Sequence, residues 1–138
     1  MPFEQLIGIG IDIIEIKRIK RLIRRNKNFL SRMFTEEELS YSIGKKNQYQ
    51  RLAVRFAAKE AVWKAAGLKG LALKDIAIVK SPGGRPGISC KDPRAAGIVF
   101  HLALSHADDY ASAAAVAIRL LPESSSKKSK PKSLARRK

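Results

Sequence analysis

The segment Arg55-Phe56-Ala57-Ala58-Lys59-Glu60-Ala61-Val62-Trp63-Lys64-Ala65 holds the residue types whose spacing could do chemistry. At about 100° per residue, Val54, Ala58, Ala61 and Ala65 fall on one narrow helical stripe, and small side chains there allow close packing. Arg55, Lys59, Glu60 and Lys64 take the rest of the circumference, with Glu60 and Lys64 one turn apart. The plainer reading of that spacing is an i, i+4 ion pair on a solvated face, contributing about 0.3 kcal/mol. The sharper reading makes Glu60 a metal ligand and Lys64 a phosphate contact.

Asp12 bears on that choice. It closes an Ile-rich stretch, and a carboxylate there is expected to be buried or nearly so, in need of a cation or several donors. Its alternative role is to cap the basic helix that follows. Two carboxylates from separate elements, with basic groups beside them, form a hard-cation site when a phosphate supplies the remaining oxygens. The loop Gly83-Gly84-Arg85-Pro86-Gly87 is glycine-rich but matches neither the P-loop nor the dinucleotide fingerprint, so by itself it reads as a hairpin turn. Ser105-His106-Ala107-Asp108-Asp109 offers a serine, a histidine and two carboxylates. Adjacency in sequence does not give a hydrolase its geometry, and the serine-nucleophile reading is the weaker one.

These residues need elements to hold them. Ile7, Ile9, Ile11 and Ile13 alternate with Gly8, Gly10 and Asp12, the period of a strand. Its glycine face leaves room for close approach to the backbone, and Asp12 shares that face. Ile16, Ile19, Leu22 and Ile23 recur at helical spacing, with Lys17, Arg18, Lys20, Arg21, Arg24 and Arg25 between them: an amphipathic helix with a basic outer face. Thr35 reads as an N-cap with Glu38 closing a capping box, and Gly44 ends that helix. A longer helix is predicted over residues 47–66, with Gly67 as its left-handed stop. Residues 76–79 and 88–90 read as hairpin strands around the turn 81–87, and residues 92–97 as a helical turn. Residues 99–104 and 111–118 read as two strands joined by the polar stretch 105–110. The expected class is α+β, with a mostly antiparallel sheet and packed helices.

Net charge is +16 over 138 residues, and 45% of the residues are hydrophobic, enough for one core. The Ser/Lys-rich stretch 122–138 holds seven basic residues against Glu123 alone, so +6 of the charge lies there and +10 in the body. The expected organisation is a folded domain over residues 1–121 and a disordered basic tail over 122–138. The charge of the body calls for an anionic partner: a phosphorylated small molecule, an acidic protein, nucleic acid or a membrane surface. A nucleic-acid binder is the main rival from another class, but only 7% of residues are aromatic and no nucleic-acid-reading motif is present. Cys90 is the sole cysteine, which excludes an intramolecular disulfide and a cysteine metal cluster and fits a cytoplasmic setting. Asp12 and Glu15 interrupt the apolar N-terminal stretch, so neither a signal peptide nor a membrane span is expected.

Taken together, the chain resembles the holo-acyl-carrier-protein synthase family of phosphopantetheinyl transferases over residues 7–119. The resemblance rests on the run from Gly8 through Asp12 and Arg18 to Ile19, on Phe34-Thr35-Glu36-Glu37-Glu38-Leu39, on Arg55 to Ala61 continuing through Lys64-Ala65, and on Leu104-Ser105-His106 with Tyr110-Ala111. It implies a phosphopantetheinyl transferase fold, a homotrimer with active sites between subunits, and transfer of 4'-phosphopantetheine from coenzyme A to a serine of apo acyl carrier protein in fatty acid (lipid) biosynthesis. Asp12 and Glu60 would bind Mg²⁺ with the diphosphate of coenzyme A. Lys64 and His106 would hold its phosphates, and Ser105 with the Gly84-Arg85-Pro86 turn would complete the coenzyme A contacts. Glu60, Lys64 and His106 are the implied catalytic residues, with Glu60, through a water, the first candidate to deprotonate the serine. Arg18, Arg21 and Arg25 would dock the acidic carrier protein. Nucleic acid is not an expected partner of the folded body. Ala103 departs from the serine that many relatives carry, and the tail runs past the usual family end.

Overall fold

Strand β1 (Phe3–Glu15) sets the layout, because its two faces carry different side chains. Its register against β5 (Tyr110–Leu121) slips by one residue between Leu6 and Gly8. Beyond that bulge Gly8, Gly10, Asp12 and Ile14 face helix α4 (Gln48–Ala66), while Ile9, Ile11 and Ile13 face away and stay 66–69% exposed. The structure, a computed structural model, describes residues 3–122. Past Pro122 the expected basic tail lies outside the described residues.

The chain is α+β, as expected. The main sheet has the order β1-β5-β4, with β4 at Ile98–His106, and all pairings are antiparallel. Between β1 and β4 the chain forms α1 (Ile16–Arg25), α2 (Phe29–Met33), α3 (Glu36–Ser42), α4 and a separate hairpin of β2 (Ile76–Lys80) and β3 (Pro86–Cys90). Short 3-10 turns at Leu73–Asp75 and Pro93–Ala95 lead into β2 and β4.

Local chemistry explains most of these boundaries. Thr35 Oγ1 accepts the Glu38 N–H at 3.2 Å, and Glu38 Oε1 accepts the Thr35 N–H at 2.8 Å, the expected capping box. Gly67, at φ 61°, ends α4 with a backbone conformation that costs glycine little. Arg24 and Arg25 lie in the last turn of α1, where cations favour the helix dipole. The segment α2 carries no periodic signal of its own; Phe29 anchors it, edge-on to Phe34 at 6.2 Å and beside Phe56 at 5.9 Å.

Helix α4 is the centre of the core. It offers Leu52, Ala53, Ala57, Ala58, Ala61, Val62, Ala65 and Ala66, none more than 3% exposed, to elements on several sides. The sheet answers with Ala111, Ala113, Ala115 and Ala117 from β5 and with the glycines of β1. A Cβ on Gly10 would run into the Ala61 carbonyl, and one on Gly8 into the Ala65 carbonyl. Helix and sheet therefore approach more closely than larger side chains allow, and that approach sets the distance between β1 and the charged flank of α4.

Candidate active site

Asp12 follows Gly10 on the packed face of β1, two residues beyond the point where α4 lies nearest the strand. From α4, Lys64 reaches back across the gap, donating to the Ile11 carbonyl at 2.9 Å and standing 3.5 Å from Asp12 Oδ1. Among the described residues Lys64 thus pairs with Asp12 across the strand, not with Glu60 along the helix. Burial raises the Asp12 carboxyl above its ordinary value, and Lys64 and Arg18 only partly offset it. Glu60 is raised too, by burial first and then by the negative charge of Asp12, against Lys64 and Arg18. Two carboxylates in each other's field, both short of cationic compensation, are suited to a further cation.

Among the described residues no group of three or more His, Cys, Asp or Glu side chains is placed to hold a metal. Asp12 and Glu60 alone would be the carboxylate donors to a cation here, a set compatible with Mg²⁺, which keeps several waters and takes one or two carboxylates plus phosphate oxygens. Arg18, an exposed residue of α1, contributes to the field at both carboxylates. Arg21, also expected to dock a partner, stands 3.6 Å from Glu15, and Arg25 closes α1.

The remaining predicted residues gather elsewhere. Gly84 and Pro86 line a cleft of about 460 Å³ together with Glu38, Tyr41, Arg55, Ile78, Lys80 and others. Arg85 lines a neighbouring groove between the β2–β3 turn and β4. Ser105 and His106 belong to the end of β4, where the sequence pattern put a connecting segment, and the alternation of the strand sends them to opposite sheet faces. His106 Nδ1 is 3.0 Å from Gln50 Nε2. Gln50 precedes Glu60 by roughly 15 Å of helix axis at 1.5 Å per residue. No hydrogen bond or ion pair among the described residues joins Gly84, Arg85, Pro86, Ser105 or His106 to the carboxylate pair.

Sequence reasoning missed the cations of the cleft. Arg55 lies 4.3 Å from the centre of the Tyr41 ring, Lys80 4.7 Å and Arg51 5.3 Å. The Lys80 ammonium, helped by the two guanidiniums, holds the Tyr41 phenol below its ordinary value. Burial pulls Arg55 down, with Tyr41 opposing. Tyr41 with Arg55 and Lys80 lines one cleft, which suits a ligand that is both flat and anionic, while Arg51 lines the neighbouring groove on the other side of Tyr41. The available signal was Arg55 at the head of the motif and Lys80 just before the glycine turn; nothing local tied either to Tyr41.

A second correction concerns Lys59, which the helical wheel put on the solvated circumference. It is fully buried, with Nζ 2.6 Å from Glu38 Oε1.

An antiparallel α+β fold with a carboxylate pair, flanking cations and a cationic aromatic cleft is an arrangement suited to phosphate-bearing ligands. Residues 8–115 match the family model of the 4'-phosphopantetheinyl transferase superfamily, and the chain belongs to that superfamily. It is 49% identical over 85 residues to a holo-[acyl-carrier-protein] synthase of Clostridium perfringens (strain 13 / Type A), covering 60% of this chain and 64% of that relative's length. Against the holo-[acyl-carrier-protein] synthase of Geobacillus sp. (strain WCH70) it is 40% identical over 122 residues, 83% of this chain and 98% of the relative. A crystal structure of a Bacillus anthracis str. Ames holo-(acyl-carrier-protein) synthase in complex with CoA (3',5'-ADP) superposes with a TM-score of 0.70 at 34% identity, covering 83% of this chain and 97% of that one.

Proposed function

We propose that this protein is a Mg²⁺-dependent holo-acyl-carrier-protein synthase. It transfers 4'-phosphopantetheine from coenzyme A to a serine of apo acyl carrier protein, releasing 3',5'-ADP, in support of fatty acid biosynthesis in the cytoplasm. The observation that carries this reading is the meeting of Asp12 with Lys64 and with the field of Glu60, from two elements held together by glycine-on-alanine packing.

In the reaction the serine oxygen attacks the phosphorus that bears pantetheine, and the bond from that phosphorus to 3',5'-ADP breaks. Such transfers depend on positioning and charge neutralisation more than on covalent catalysis. Mg²⁺, held by Asp12 and Glu60 with the diphosphate, would supply charge neutralisation on the leaving group. Lys64 adds a donor beside Asp12. Glu60 is the carboxylate placed to take the serine proton through a water. Tyr41, Arg55 and Lys80, with Gly84 and Pro86, form the cleft for the nucleotide end of coenzyme A. Arg85, Ser105 and His106 add contacts at its rim. The basic face of α1, with Arg18, Arg21 and Arg25, docks the acidic carrier.

A homotrimer with sites between subunits completes this reading. Two observations support it: the Ile9, Ile11, Ile13 face of β1 is open to solvent, and among the described residues no ion pair links the cations of the cleft to Asp12 or Glu60. Copies packed by the open sheet face would bring the cleft and His106 of one chain to the carboxylates of the next. Among the described residues no helix is long and apolar enough to cross a membrane.

The direct test is incubation with coenzyme A, Mg²⁺ and several apo carrier proteins, read by intact mass. One phosphopantetheine adduct per carrier is expected. No mass gain on any carrier would sink the reading.

A further inference from the structure

The motif residue Lys59 has no part in the mechanism above, yet it makes the most buried ion pair of the described residues. Its side chain and that of Glu38 are 0% and 1% exposed, with Nζ and Oε1 2.6 Å apart. Glu38 does more than cap α3. Its Oε1 accepts the Thr35 N–H at 2.8 Å, and its Oε2 accepts the Ile78 N–H of β2 at 2.8 Å. Lys59 Nζ also faces the Leu73 carbonyl at 3.5 Å and the Phe34 ring at 5.5 Å. One carboxylate thus joins α3, α4 and the β2–β3 hairpin, which shares no strand pairing with the main sheet.

The position of this junction matters because Glu38 and Ile78 both line the cleft, beside Tyr41 of α3, Arg55 of α4 and Lys80 of β2. We propose that Glu38 and Lys59 are positioning residues for the transfer reaction, a buried pair that fixes the hairpin and α3 against α4 so that Tyr41, Arg55 and Lys80 keep their places around the nucleotide end of coenzyme A. The inference rests on the transferase reading and deepens it. A pair this dry is not explained by stability, since two buried charges lose hydration that their attraction only roughly returns, and apolar replacements are often as stable.

The test is the double variant Glu38→Gln with Lys59→Met, which leaves no uncompensated buried charge. The introduced amide has one carbonyl oxygen for two backbone N–H groups, so the hold on β2 is weakened while the core stays filled. The KM for coenzyme A is expected to rise about tenfold, while that for the carrier protein changes less than about twofold, because small misplacements of a binding element are costly in such sites. A merely stabilising pair would act differently: fewer folded molecules would lower the apparent kcat and leave both KM values alone. Unchanged KM for coenzyme A in a folded double variant, or an equal rise for both substrates, overturns the proposal. Should that variant not fold, hydrogen exchange on the wild-type protein decides: the Ile78 amide is expected to be protected like core amides of α4, and exchange at the rate of a frayed edge strand overturns the proposal. Coenzyme A titrated into the wild type serves as the control. Absence of binding there removes the transferase reading itself and this inference with it, whereas binding with an unaltered double variant removes the inference alone.

Discussion

The two faces of β1 invert the usual arrangement of a strand. Ile9, Ile11 and Ile13 point outward, 67%, 69% and 66% exposed, while Gly8 and Gly10 lie against α4. Burial of apolar area stabilises by about 25 cal/mol per Å², so the outward face leaves that stabilisation unused within one chain. The inward face buries little area and relies on close fit. The difference separates the two faces: the glycine face fixes the distance between Asp12 and the flank of α4, and the isoleucine face is left open. Open apolar patches of this kind mark interaction sites.

The largest effect is expected from breaking the packed face. Gly10→Ala puts a methyl group into the Ala61 carbonyl, which is backbone and cannot rotate away. Overpacking of this kind costs about 1–3 kcal/mol, and more where the neighbour is rigid. Thermal denaturation should show a marked loss of stability or failure to fold. Any folded fraction should lose transfer activity, because α4 carries Glu60 and Lys64 away from Asp12. A Gly10→Ala protein of wild-type Tm and activity would mean that the contact is slack.

Next in size is a charge on the open face. Ile11→Lys adds a cation where the chain alone is solvated, so the subunit should keep its fold within about 0.5 kcal/mol, as most exposed substitutions do. Sedimentation should then report monomers in place of the expected trimer, and activity should fall with the oligomer. A trimer that persists with full activity would show that β1 does not form the contact. Arg18→Glu, at the rim of the packed face, should act more mildly. Steering by exposed charge is screened by salt, so the variant should weaken carrier encounter more than coenzyme A binding, and the gap should narrow as salt rises. Equal loss for both substrates would make Arg18 part of the carboxylate site instead, where its field already reaches.

The same contrast shows what the sequence could reveal. Features made by neighbours in the chain were legible: the Thr35–Glu38 capping box, the Gly67 stop, the β1 alternation and the Val54–Ala65 small-residue stripe all follow from spacing. The open space on the glycine face was legible as well, but not what fills it, because an alternating strand looks the same whichever face a helix chooses. Lys59 looked solvated because its partner Glu38 lies 21 residues away by number and reaches it only through the fold of α3. The cleft around Tyr41 was invisible for the same reason, since its ring and cations come from α3, α4 and β2. Ser105 and His106 read as a linker because their polarity hid the end of β4. Short α2 has five residues and no side-chain cap, so nothing but Phe29 and its ring contacts announces it.

The smallest expected effect on stability tests whether Asp12 serves the site or the fold. It sits on the packed face between Gly10 and Ile14 and pairs with Lys64, yet burial raises its carboxyl, like that of Glu60, above its ordinary value. An acid whose folded pKa is raised holds its proton to higher pH when folded than when unfolded. Stability therefore falls as pH rises from the ordinary carboxylate range through the raised values, and the penalty is complete above them. Both groups are partly solvated, so the slope should be shallow. Without divalent cation, the Tm of the wild type minus that of Asp12→Asn should decrease as pH rises from the acid side through the raised carboxyl range. Asp12→Asn should thus be as stable as the wild type or slightly more so at neutral pH, and inactive in transfer. Mg²⁺ should raise the neutral-pH Tm of the wild type and not that of the variant, because a bound cation stabilises the charged form. A clear drop in the neutral-pH Tm of Asp12→Asn would reverse the assignment. It would make the pair with Lys64 a fastening between β1 and α4, and Asp12 a structural residue that happens to lie beside Glu60.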